Sequence, residues 1–213
     1  DILFEDSDVL VLNKPAGFIV EGPSKNGRLS LTDHIRKELG LPVYACHRLD
    51  RDTTGVLVFA RNKNALSSIN HQFASRRVKK TYLARVEGDW NPTWNRVETC
   101  ISKKDDGSMV NSVNGKEAVT TFRRLANWDH KSLIEALPKT GRTHQIRLHA
   151  LYHSCPISGD SRYGNPSDKS HPMALHARKL QLIHPEGKQP LEVIAPLPAY
   201  WANYWLKNCP IEL

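Results

Sequence analysis

No apolar run in this chain approaches the roughly 20 residues that a bilayer-crossing helix needs. Nor does a basic stretch lead into an apolar one at the start, so no export signal is read. The first residue is Asp1 and not Met, which leaves room for chain ahead of it. Cysteine is sparse: Cys46, Cys100, Cys155 and Cys209 are widely scattered, with no C-x-x-C pair. That spacing argues against a structural zinc site or a redox motif, and for reduced thiols in a reducing cytosol. Cys46 next to His47 suggests a nucleophilic pair only by adjacency in sequence, which is poor evidence for adjacency in space. There is no glycine-rich phosphate loop, dinucleotide fingerprint, internal repeat or low-complexity tract. Acids are the minority charge: 22 Asp and Glu stand against 30 Lys and Arg, a formal net charge of +8. Such a surplus favours polyanionic partners, nucleic acid foremost.

The 213 residues, 39% of them apolar, suffice for one sizeable core. Short apolar runs at Ile2 to Phe4 and Val9 to Leu12 predict strands, the second ending in the turn chemistry of Asn13 to Gly17. Ser30 or Thr32 caps a helix running to about Leu39, which Gly40 and Pro42 end. Val56 to Ala60 reads as a buried strand, and Asn64 to Ala74 has helical spacing in Ala65, Leu66, Ile69 and Phe73. Thr81 to Val86 is a strand with Tyr82, Ala84 and Val86 on one face. Ala118 to Leu125 and Leu133 to Leu137 form a hairpin turning through Asn127 to His130. Pro138 to Thr143 breaks the strand pattern, and Thr143 caps a helix from His144 to about His153. Leu175 to Ile183 and Leu191 to Ile194 are late strands. Asp89 to Lys116, rich in Asn, Ser, Gly and charge, is the least regular stretch and reads as a mobile insertion. Many short strands among few helices predict a single α+β domain over residues 1–213, with a central mixed, mostly antiparallel β-sheet flanked by helices.

The densest chemistry is His47-Arg48-Leu49-Asp50-Arg51-Asp52-Thr53-Thr54-Gly55, followed at once by Val56 to Ala60. A carboxylate among cations stays ionised, and on a loop backed by a rigid strand it is a candidate nucleophile or base. A surface aspartate paired with Arg48 or Arg51 is the alternative, and spacing alone does not choose between Asp50 and Asp52. A second segment runs from Thr140 to His149. If it is helical, Arg147 shares a face with His144 and Leu151, presenting a fixed guanidinium that can hold a carboxylate ionised. His144 and His149 do not fall side by side on a helix, which argues against a metal. In the third segment, Lys79-Lys80-Thr81-Tyr82, a strand tyrosine beside cations suits base stacking; a core aromatic with a solvated basic edge would look the same. Arg76, Arg77, Lys79 and Lys80 suit phosphates, or a solvated charged turn.

Together and in this order, these segments resemble the RluA family of RNA pseudouridine synthases. Lys14-Pro15 with Gly17 is similar to that family's early motif. His47 to Gly55 is similar to its catalytic loop, with Thr54 where the family usually has Ser. Lys80-Thr81-Tyr82 is similar to its basic-x-Tyr motif, and Gly141 to His149 to its Gly-Arg-Thr/Ser-His-Gln-Leu/Ile-Arg-x-His motif. Pro156 to Asp160 with Tyr163-Gly164, and Leu175-His176-Ala177, fit as well.

The resemblance implies an isomerase acting on specific uridines in structured rRNA or tRNA. Asp50 would be the nucleophile on a flipped-out uridine, Arg147 its partner, and Tyr82 the ring stacked on the uracil. Arg48 would enter the RNA stack with His47 beside it. Thr54, Gly55, Arg142, His144, Gln145, Lys79, Lys80, Arg76 and Arg77 complete the implied RNA-binding set. The reaction breaks N1–C1′ and rejoins the same ring through C5. It changes no oxidation state and adds no group, so no cofactor or metal is expected. The chain resembles short members without an S4-type domain, which implies a cytoplasmic monomer that recognises an RNA stem-loop directly. An inactive RNA-binding relative is the alternative, opposed by intact Asp50, Tyr82 and Arg147. A metal-dependent nuclease is opposed by the lack of a clustered acidic site.

Overall fold

In the computed structural model, which describes residues 1–22, 29–40, 42–164 and 172–212, short strands dominate. The chain begins with β1 (Ile2–Glu5), β2 (Val9–Lys14), α1 (Leu31–Leu39), β3 (Tyr44–Ala45), β4 (Thr54–Ala60) and α2 (Lys63–Ala74). It continues with β5 (Lys79–Glu87), β6 (Trp94–Lys103), β7 (Met109–Asn111), β8 (Lys116–Trp128), β9 (Lys131–Pro138) and α3 (Gln145–Tyr152). It closes with β10 (Leu175–Ile183), β11 (Pro190–Ile194) and a single π-helical turn, Trp201–Trp205.

Local chemistry explains the boundaries. Ser30 caps α1 by accepting the Asp33 N–H, and Gly40 ends it at φ 64°, a left-handed position that glycine adopts at little cost. Asn62 caps α2 through the Ala65 N–H. The β8–β9 hairpin turns on Asp129 and His130 alone, both at positive φ. Trp128 and Lys131 already pair, as expected where a two-residue turn must follow the strands' twist. Every residue of β4 is buried, as the run Val56 to Ala60 indicated.

Two expectations are corrected. Asp89 to Lys116 holds β7 and the ten-residue β6, and β6 pairs with β8 along Trp94 to Ile101. Only Val97 and Ile101 of β6 are buried, and the inward positions Asn95, Thr99 and Lys103 are polar too, so no apolar alternation marks the strand in sequence. Thr143 does not cap α3. His144 takes the N-cap position at φ 58° with no side-chain capping bond, since its ring is committed elsewhere.

Contacts cluster in two compact units, Asp1–Lys80 with Ala177–Pro196, and Thr81–His176 with Leu197–Leu213. In the first, β1, β2, β4 and β10 are successive neighbours, with β3 on β4 and β11 on β10. Val9, Val11, Val56, Val58, Ile69, Leu180 and Leu182 form its core. In the second the order is β5-β9-β8-β6-β7, around Phe122, Leu133, Ile134, Ile146, Ile157 and Trp201. The pairs β1–β2, β2–β4, β5–β9, β9–β8, β8–β6, β6–β7 and β10–β11 are all antiparallel. The architecture is α+β, mostly antiparallel. No helix among the described residues is long and apolar enough to cross a membrane.

Candidate active site

In the first unit the loop 47–53 sits on the start of β4 and is held from beneath by a lysine. Lys14 is the last residue of β2 and wholly buried. Its ammonium donates to the carbonyls of Pro15 at 2.9 Å, Arg51 at 2.8 Å and Thr53 at 2.9 Å. Three N–H donors meet three carbonyls, so a loop rich in unpaired backbone is fixed around Asp50. Burial lowers the Lys14 ammonium to about 8, opposed by the carboxylates of Asp52 and Asp50. The Thr53 N–H donates to the Asp50 carbonyl at 3.1 Å, closing the turn.

The two acids of the loop separate here. Asp52 takes a two-pronged ion pair from its neighbour Arg51, 3.1 Å on each prong, on the surface. Asp50 is half-buried within the tethered turn. Arg48 stands exposed, with no hydrogen bond or ion pair among the described residues. His47 is tied inward: its Nε2 accepts the Val58 N–H at 3.1 Å, and its ring packs on Phe73. Burial, with Lys80 nearby, pushes the imidazole down to about 3, so it is neutral. Burial pushes the Cys46 thiol up to about 12. A neutral thiol beside an imidazole whose Nε2 is already engaged is no nucleophilic pair.

Thr54 and Gly55 are buried in β4. A Cβ on Gly55, at φ 108°, would fall 2.2 Å from the Ala177 carbonyl oxygen, so glycine is required for that close approach. Arg76 and Arg77 follow α2, both exposed, their N–H groups donating to Phe73 and Gln72 carbonyls. Lys79 is exposed. Lys80 is half-buried, and burial lowers it to about 8.

In the second unit Arg147 is the centre of a closed assembly. Its Nε and Nη2 donate to Asp160 Oδ2 and Oδ1 at 2.7 and 2.8 Å. Asp160 Oδ1 also accepts the N–H groups of Arg162 and Tyr163. Burial alone would raise the Asp160 carboxyl; the bonds and charge of Arg147 and the two backbone N–H groups hold it below its ordinary value. The Arg147 guanidinium lies over the Tyr163 ring, 4.9 Å from its centre. The Tyr163 hydroxyl shares a 2.7 Å hydrogen bond with His144 Nδ1 and donates to the Met109 carbonyl. This contact commits the His144 ring, while Leu151, expected on the Arg147 face, is exposed.

Gln145 is buried and bonded at both ends. Its oxygen accepts the Thr140 hydroxyl and the Arg142 N–H, and its amide nitrogen donates to the Val119 carbonyl and Thr120 hydroxyl. It ties the 140–145 loop to β8. Arg142 Nε donates to the Glu117 carbonyl. His149 lies between the Thr99 and Thr120 hydroxyls. Tyr82 is half-buried in β5, opposite Ala136 of β9, and packs on the core of this unit.

Lys14, Asp160 and Tyr163 lie within motifs that carry the resemblance, and local sequence assigns them no role. Lys14 carries a weak signal, a lone cation ending an apolar strand before Pro15. Asp160 lies 13 residues from Arg147, and nothing local marks the pair.

A sequence profile described as RNA pseudouridylate synthase matches residues 8–152. The ribosomal large subunit pseudouridine synthase C of Buchnera aphidicola subsp. Schizaphis graminum is 36% identical over 219 residues, covering 96% of this chain and 69% of that protein. The protein of the same name from Yersinia pestis is 38% identical over 225 residues, covering 100% and 68%. The chain thus spans about two thirds of the length of these relatives. Among solved structures, human RNA pseudouridylate synthase domain containing 4 superposes with a TM-score of 0.83 at 30% identity, over 100% of this chain and 94% of that one. Human RNA pseudouridylate synthase domain containing 1 gives 0.81 at 29%, over 95% of this chain and 85% of that one. The matched span holds the tethered loop, Tyr82 and Arg147, and the chain belongs to the RNA pseudouridylate synthases, isomerases that convert uridine to pseudouridine in RNA.

Proposed function

We propose that this chain isomerises a specific uridine in structured ribosomal RNA, with Asp50 as the nucleophile on a flipped-out base. The observation that carries the assignment of Asp50 is the Lys14 tether: three bonds from one buried ammonium immobilise the turn that presents it, while Asp52 is engaged by Arg51 at the surface. A nucleophile held in one geometry needs no reorganisation during reaction. The choice of ribosomal RNA is supported by the names of the relatives.

The chemistry balances without an added reactant. The N1–C1′ bond breaks while Asp50 holds the detached fragment covalently. The uracil turns, C5 bonds to C1′, the carboxylate is released, and the proton lost from C5 is matched by one taken up at N1. Extruding the base costs a few kcal/mol. Arg48, exposed and unengaged, is suited to fill the vacated stack, and Tyr82 to stack on the uracil. Arg147, fixed by Asp160, is the cation that resemblance pairs with Asp50. Lys79, Lys80, Arg76, Arg77 and Arg142 contact phosphates. His47, Gln145, Thr54 and Gly55 act by holding loops and strands, not by touching RNA. The protein works as a monomer in the cytoplasm.

The test is incubation of the purified chain with deproteinised rRNA and, separately, tRNA, followed by pseudouridine mapping at single-nucleotide resolution. New pseudouridine at one position of rRNA is expected. Modification of tRNA alone would overturn the substrate, and binding without modification would make the chain an inactive RNA-binding relative.

A further inference from the structure

The β6–β7 ribbon and the loop before α3 enclose a cavity of about 440 Å³. Its charged lining is Lys103, Lys116 and Arg142, with Ser102 and Thr143 beside them, and among the described residues no carboxylate side chain lines it. The segregation follows from strand register. Ile101 of β6 stands opposite Lys116 of β8, and Cys100 opposite Glu117. Side chains alternate across a strand, so Lys103 and Lys116 share the side of Ile101, while Glu98 and Glu117 fall on the other. Those two acids line a separate cavity with Tyr152 and Val113. Three cations gathered with no carboxylate side chain among the described lining residues repel one another. They are best satisfied by an anion from outside.

The cavity adjoins the Arg147 assembly. Met109 lines it, and the Met109 carbonyl accepts the hydroxyl of Tyr163, the ring beneath the Arg147 guanidinium. Arg142 is braced by its bond to the Glu117 carbonyl, so its guanidinium is aimed before any ligand arrives. The volume accommodates a phosphodiester with its ribose.

We propose that this cavity binds a backbone phosphate of the substrate RNA close to the target uridine, with Lys103 and Lys116 supplying the charge. This rests on the function proposed above and adds a phosphate site outside the 47–53 loop. The phosphate contact strengthens binding and fixes register. It takes no part in bond making.

The experiment compares wild type, Lys103→Gln/Lys116→Gln and the control Lys37→Gln/Lys63→Gln, which removes the same charge from exposed positions elsewhere. Each binds a stem-loop carrying the mapped uridine across a salt series. A second set of stem-loops carries one neutral methylphosphonate at successive positions. At 100 mM salt the cavity variant should bind about tenfold more weakly, with the slope of log affinity against log salt reduced by about 1. The control should keep both, and conversion at saturating RNA should be unchanged in all three. One methylphosphonate near the uridine should weaken wild type and leave the cavity variant indifferent. An unchanged slope in the cavity variant overturns the site, as does equal sensitivity of both proteins to every neutral linkage. If wild type binds with the expected slope yet forms no pseudouridine, the function fails while the phosphate site stands.

Discussion

Asp160 grips Arg147 through two parallel hydrogen bonds, Nε to Oδ2 at 2.7 Å and Nη2 to Oδ1 at 2.8 Å, with side chains only 1% and 10% exposed. A two-pronged pair fixes the plane of the guanidinium as well as its position. Asp160→Ala takes a two-pronged carboxylate partner from a buried cation and should cost about 3–5 kcal/mol of stability in urea melts. Asp160→Asn keeps the shape and one prong; it should lose less stability but still lose turnover, with RNA affinity unchanged. The Asp160 carboxyl is held below its ordinary value of 3.8. Its stabilisation is therefore complete above that value and lost as pH falls through the lower, folded one. Acid melts of wild type should steepen in that window, and those of Asp160→Asn should not.

The pair also shows where sequence stops speaking. The ends of α1 were legible because Ser30 and Gly40 act within one turn of the helix they bound. The β8–β9 hairpin was legible because its strands are adjacent in sequence. The loop 47–55 stood out because its charges are contiguous. Asp160 meets Arg147 only through tertiary packing. Lys14 stands in the sequence as part of the Lys14-Pro15 motif, but its three carbonyl partners are set by the fold that buries it. The ten residues of β6 lie in a stretch that reads as irregular, because an exposed ribbon needs no apolar alternation. Gln145 stands in the RNA-binding set that the resemblance implies; its bonds to Thr140, Arg142, Val119 and Thr120 come from tertiary packing that no local pattern announces.

Lys14 gives a pH-dependent prediction with two opposite signs. Below about 8 its ammonium offers one proton to each of three carbonyls. Above that, two protons serve three acceptors, and the loop around Asp50 loosens. Turnover should fall on an alkaline limb near pH 8, and Lys14→Met should show low activity without that limb. Stability moves the other way. From about 8 to the ordinary 10.5, the unfolded chain binds the proton that the folded one has released, so this ionisation makes folding more favourable as pH rises. The stability gap between wild type and Lys14→Met should shift in that sense across the window, measured by urea melts at stepped pH.

Gln145→Leu should act on folding before it acts on RNA. It takes the side-chain acceptor from the Arg142 N–H and removes one bond each from the Val119 carbonyl and the Thr140 and Thr120 hydroxyls, which keep their bonds to the Lys139 N–H, the Val119 N–H and the His149 ring. A loss of about 2–4 kcal/mol is expected from unsatisfied buried groups. RNA affinity of the folded fraction should stay within about twofold of wild type, since the lost bonds were internal. A large affinity loss at unchanged stability would return Gln145 to the RNA-contacting set.

Arg48 and Asp52 bracket Asp50 and should behave differently from it. Arg48→Ala removes an exposed cation with no internal partner among the described residues. Stability should be unchanged within about 0.5 kcal/mol, while conversion slows about tenfold or more because base extrusion is unassisted. Asp52→Asn breaks only a surface pair with Arg51, a contact worth about 0–1 kcal/mol, and should retain most activity. Single-turnover conversion alongside thermal melts distinguishes the two.

The most direct measurement is single-turnover pseudouridine formation by wild type and Asp50→Asn on the same rRNA, with binding measured in parallel. Asp50 as nucleophile requires that the variant bind the RNA with near wild-type affinity and form no pseudouridine at the mapped position. Appreciable conversion by Asp50→Asn, or abolition by Asp52→Asn instead, would contradict it.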